Sequence, residues 1–86
     1  MAEGIVVELL LFARVRELCG NQGRVSVDVA DGADPEACFE SLCARFPGVD
    51  TLRATLAVAV NEEYSAWDRT LRQGDVLSFI PPVSGG

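Results

Sequence analysis

A chain of 86 residues, 49% apolar and 23% charged, is predicted to form one small globular domain and is neither disordered nor multidomain. The net charge of −6, with arginine as the only cation, repels phosphate backbones; it argues against nucleic acid and favours a basic protein partner. No histidine is present, which removes the usual proton shuttle and the commonest metal ligand, and the three cysteines match no zinc spacing.

The chain opens with an apolar run, IVVELLLF at residues 5–12, that reads as a strand buried on both faces and therefore central. Glu8 interrupts it and no basic leader precedes it, so neither a membrane span nor a signal peptide is predicted. RVRELCG sets Val15, Leu18 and Cys19 at one-turn spacing and closes on a glycine, a short helical turn. NQG turns the chain. RVSVDVA then alternates, with Val25, Val27 and Val29 on one face, and reads as a half-buried strand.

The main helix lies in DGADPEACFESLCARFPG. Asp34 can cap it, Pro35 suits its first position, and Pro47 with Gly48 stops it. Phe39, Leu42, Cys43 and Phe46 repeat at helical spacing and predict the face that packs on a sheet. VDTLRAT is ambiguous and short, LAVAV is a strand, NEEY is a tight turn into an edge strand near Tyr64, and LRQGD is a further turn. VLSFI is the last strand, ended by Pro81, which has no N–H for a ladder.

One helix among five strands must cover one face of one sheet. The first and last strands are the most apolar, which places them side by side and parallel at the centre. The predicted fold is α+β: a β-grasp, ubiquitin-like domain over residues 1–81 with an extended tail over 82–86. A ferredoxin-like rival needs a second full helix, and VDTLRAT is too short to supply one.

The tail reads PPVSGG. Pro81 and Pro82 favour an extended exit, and six residues reach about 20 Å. Val83 offers one apolar grip, while Ser84, Gly85 and Gly86 lack bulk and suit a narrow channel in another protein. The reactive group at the tip is the α-carboxylate of Gly86, which becomes an electrophile only after its oxygen is made a leaving group. Adenylation by ATP would do that. The chain has no phosphate-cradling glycine-rich loop and no catalytic base, so a second enzyme must perform the step.

LLLFARVREL, VAVNEEY, the helix ending FPG, and LRQGDVLSFIPPVSGG together resemble the MoaD family, the small sulfur carrier subunits of molybdopterin synthase. The resemblance spans nearly the whole chain. It implies that an E1-like adenylyltransferase activates Gly86 with ATP, that a sulfurtransferase converts the carboxylate to a thiocarboxylate, and that Gly85 and Gly86 form the reactive end. It implies a heterotetramer with a large subunit that receives the tail, and sulfur transfer to a cyclic pyranopterin monophosphate to build the dithiolene. Pro81, Pro82, Val83 and Ser84 then contact that partner, with Phe12, Tyr64 and Ile80 at positions resembling the family's sheet-face contact. No cofactor or metal is expected on this chain, and the location is expected to be cytoplasmic, as free thiols suit. The sulfur carrier of thiazole biosynthesis and ubiquitin-like modifiers share the Gly-Gly end and stand as alternatives.

Phe12 and Ile80 read equally well as core residues, and spacing leaves Trp67 as core or interface. Asp75 is expected to serve its turn, Arg14 and Arg16 a solvated surface, and the cysteines a buried one.

Overall fold

The computed structural model describes residues 4–82. Its elements are β1 (Gly4–Leu11), α1 (Ala13–Leu18), β2 (Arg24–Ala30), α2 (Pro35–Arg45), a 3-10 helix (Val49–Thr55), β3 (Ala57–Val60), β4 (Glu63–Ser65) and β5 (Val76–Ile80). The five strands form one sheet in the order β2-β1-β5-β3-β4. β1 and β5 pair in parallel, Leu9 opposite Leu77, and the other neighbours are antiparallel. The first and last strands are therefore adjacent inside the sheet, as the sequence predicts.

The core is the space between this sheet and α2. Val7, Leu9 and Leu11 of β1, Leu77 and Phe79 of β5, and Val58 and Val60 of β3 are buried there. Asp34 caps α2 by accepting the Ala37 amide at 2.9 Å, and Pro35 occupies the first turn. The helix stops where Gly48 takes φ +110, a backbone that a side chain would strain.

Two patterns differ from expectation. β1 is buried on one face only: Val6, Glu8 and Leu10 are half-buried, because a single helical layer leaves the opposite face of the sheet uncovered. The buried face of α2 is Pro35, Cys38, Phe39 and Leu42, the same period turned towards the helix start. Cys43 and Phe46 only flank the core, since the C-terminal end of α2 lies nearer solvent.

VDTLRAT is the 3-10 helix, and its Arg53 fastens the layers together. Arg53 is ion-paired with Glu36 of α2, while its guanidinium carbon lies 3.4 Å above the centre of the Trp67 ring. Trp67 stacks on Phe79 at 5.9 Å and meets Phe39 edge-on at 5.7 Å. Trp67 is thus a helix-side packing residue.

Candidate functional site

The uncovered face of the sheet has two halves. Towards β2 it is polar: Glu8 of β1 accepts hydrogen bonds from Ser26 and Arg24, which together hold its carboxyl below the usual range. Towards β4 it is apolar. Pairing register sets Leu10, Ser78, Ala59 and Tyr64 in one row across β1, β5, β3 and β4, with Ile80 and Ala57 in the next.

Along this apolar half runs an open groove of about 440 Å³. It brings together Phe12, Tyr64, Ile80 and Pro81, four residues singled out in the sequence. Tyr64 is 75% exposed and Phe12 is 45% exposed, the two large apolar side chains most open to water among the described residues. The core reading of Phe12 and Ile80 is therefore replaced by a surface one, with Ile80 half-buried. Phe12 is held outward because the chain turns sharply after β1. Ala13 adopts φ +51, and the Phe12 carbonyl accepts the amides of Val15 and Arg16 at 3.1 and 3.3 Å.

The groove also contains Ala59, Ser78 and Glu62, which sequence reasoning missed. Ser78 carried a signal, as the one polar residue within VLSFI, at the alternate position that leaves the core. Ala59 and Glu62 became site residues only once the β3–β5 register and the β3–β4 turn were fixed.

Pro81 lines the groove and Pro82 is exposed, so the chain leaves the sheet at the edge of this surface. Val83 and Ser84, expected to contact a partner, and Gly85 and Gly86, expected to form the reactive end, lie outside the described residues. Asp75 serves its turn, accepting the Arg72 amide at 2.9 Å and the Asn61 side-chain amide at 3.0 Å. Arg14 and Arg16 are exposed, Arg14 in a surface pair with Glu17.

The thiols are held in the protonated form. Burial raises those of Cys19 and Cys43, and burial, aided by Asp34, pushes Cys38 up to about 11. The buried thiols of Cys19 and Cys38 are poor nucleophiles in that form, while Cys43 is partly open. Among the described residues no group of three or more Cys, Asp or Glu side chains could hold a metal ion, and no helix is long and apolar enough to cross a membrane.

The ThiS family profile matches residues 9–86. The molybdopterin synthase sulfur carrier subunit of Arabidopsis thaliana is 34% identical over 82 residues, covering 95% of this chain and 84% of that protein. The protein of the same name in Drosophila simulans is 40% identical over 90 residues, covering 99% and 98%. Among solved structures, the small archaeal modifier protein 1 of Haloferax volcanii superposes with a TM-score of 0.83 at 27% identity, over 92% of this chain and 99% of that one.

Proposed function

The chain belongs to the ThiS family, and we propose that it is the sulfur carrier subunit of a molybdopterin synthase, acting in molybdenum cofactor biosynthesis. The observation that carries this reading is the pairing of full-length relatives of that name with an apolar groove beside the exit of the Gly-Gly tail.

The chemistry belongs to Gly86. Its carboxylate oxygen attacks the α-phosphate of ATP on an E1-like enzyme, pyrophosphate leaves, and an acyl-adenylate forms. The terminal sulfur of a donor's persulfide displaces AMP to give an acyl disulfide, and a second thiol attacks the donor's sulfur, leaving the thiocarboxylate and a disulfide. The large subunit covers the groove through Phe12, Tyr64 and Ile80 and receives residues 81–86. Gly85 and Gly86 lack side chains, so the thiocarboxylate can enter a narrow active site. There its sulfur attacks the cyclic pyranopterin monophosphate, hydrolysis of the resulting thioester returns Gly86 as a carboxylate, and a second loaded carrier supplies the second sulfur of the dithiolene in the same way. ATP is spent by the activating enzyme, and the assembly is a cytoplasmic heterotetramer. This chain contributes the acyl sulfur as the sulfurtransferase's small subunit, while the large subunit contributes the remaining catalysis.

The likeness to a small archaeal modifier favours one second reading, conjugation of the same activated Gly86 to target amines. The experiment that separates them loads the chain with the activating enzyme, ATP and a sulfur source, and adds large subunit and cyclic pyranopterin. Intact mass should show one terminal oxygen replaced by sulfur, and dithiolene should form in a single turnover. Deleting Gly86 should abolish both and leave the thermal midpoint unchanged. Normal transfer by the deleted chain, or loss of all transfer in a folded, loadable triple Cys→Ser variant, would move the sulfur onto a cysteine and overturn the reading.

A further inference from the structure

Among the described residues Glu62 is the one charged side chain lining the groove. Among the described residues Glu8, Glu17 and Glu36 are ion-paired with arginines, whereas Glu40, Glu62 and Glu63 are exposed without an ion-pair partner, and of these three Glu62 lines the groove. Its backbone is also costly. Asn61 and Glu62 form the two-residue connection between β3 and β4, and both have positive φ, +51 and +74. Such a turn needs a left-handed backbone at both positions. Asparagine tolerates that conformation and glycine is favoured at the second place, but a glutamate there is strained. The turn would be more stable with glycine. What glutamate adds is a carboxylate on the rim of an otherwise uncharged surface.

Resting on the reading of the groove as the large-subunit interface, we infer that Glu62 is its electrostatic anchor, pairing with an Arg or Lys side chain at the margin of the apolar patch that covers Tyr64 and Phe12. The partner surface that fits is apolar at its centre and cationic at this edge. The acidic balance of the whole chain, −6, acts in the same direction at longer range. A rim charge acts chiefly on the rate and salt dependence of association, while buried apolar contacts set the residence time.

The test measures association of the full chain with purified large subunit at low and high salt. Glu62→Gln keeps the strain and removes the charge; it should associate about fivefold more slowly at low salt and like the parent at high salt, where charges are screened. Glu62→Gly should show the same loss of rate while its Tm rises by about 4 °C, because the turn is relieved. Parental rates for both variants at low salt would overturn the anchor, and no rise in Tm for Glu62→Gly would overturn the strain argument. If the parent chain forms no complex at any salt, the interface reading itself falls and takes the anchor with it. A complex formed equally by all three chains sinks the anchor alone.

Discussion

Tyr64 contributes little to the isolated fold, since 75% of its surface is in water at the sheet edge. Its ring gains burial only when a partner covers the groove, and an aromatic with a polar tip suits that position. Tyr64→Asp should therefore weaken binding to the large subunit by about 2 kcal/mol, roughly 30-fold, with no change in thermal midpoint. Titration calorimetry alongside a melting curve checks both halves; unchanged affinity would remove Tyr64 from the interface. Residue by residue, legibility in the sequence followed chemistry that repeats locally. Asp34 as a cap and Asp75 in its turn need only near neighbours, and both read correctly. Trp67 did not, because its position depends on Phe79 and Arg53, partners brought near only by folding. Glu62 did not either, because NEEY shows a turn but not that its first glutamate sits on a groove.

At the scale of elements, apolar runs located β1, β3 and β5, alternation located β2 and the NEEY turn located β4, but the apolar run of β1 overstated its burial. β1 is rich in Val and Leu because one face meets α2 and the other supplies half-exposed Val6 and Leu10 to the open side. A run of apolar residues does not distinguish core from an open apolar face, since both carry the same residue types. The α2 stripe predicted from Phe39, Leu42, Cys43 and Phe46 lies nearer the helix start, at Pro35, Cys38, Phe39 and Leu42, and Cys38 is buried as a small apolar thiol is expected to be. The helix depends on its first turn, where the Asp34 carboxylate satisfies the Ala37 amide and the Glu36 amide donates to the Trp67 carbonyl at 3.2 Å. Asp34→Ala orphans one of these donors and should cost about 1 kcal/mol. For a domain of this size that lowers the thermal midpoint by about 4–8 °C, a shift calorimetry resolves. A midpoint unmoved within error would mean that the proline start and the core contacts of Phe39 hold the helix without its cap.

For the whole molecule, the absence of histidine leaves the stability profile to its acid and alkaline ends. At the acid end Glu8 is held low, first by the Ser26 hydrogen bond and then by Arg24. A carboxylate depressed in the folded state adds stability above its unfolded pKa, and loses it as pH falls through the folded value. At the alkaline end the sign reverses. Cys38 is raised from an ordinary 9.0 to about 11, because its buried site disfavours the thiolate and Asp34 adds to that. The folded chain then keeps a proton that the unfolded chain releases. The stabilisation is complete below the unfolded value and lost as pH climbs through the folded one. Two pKa units correspond to about 3 kcal/mol, a large share of what a domain this small has in reserve. Cys19 and Cys43 are also raised by burial, so all three thiols act in the same direction. Urea unfolding from about pH 8 to about pH 10.5 should show a steep fall in stability with m unchanged. Cys38→Ala should begin lower, through lost packing, and fall less steeply, because Cys19 and Cys43 remain. A flat profile in the parent chain would mean that Cys38 ionises in the folded state. That result would also weaken the argument against a cysteine as the sulfur carrier, which rests on the burial and raised pKa of these thiols.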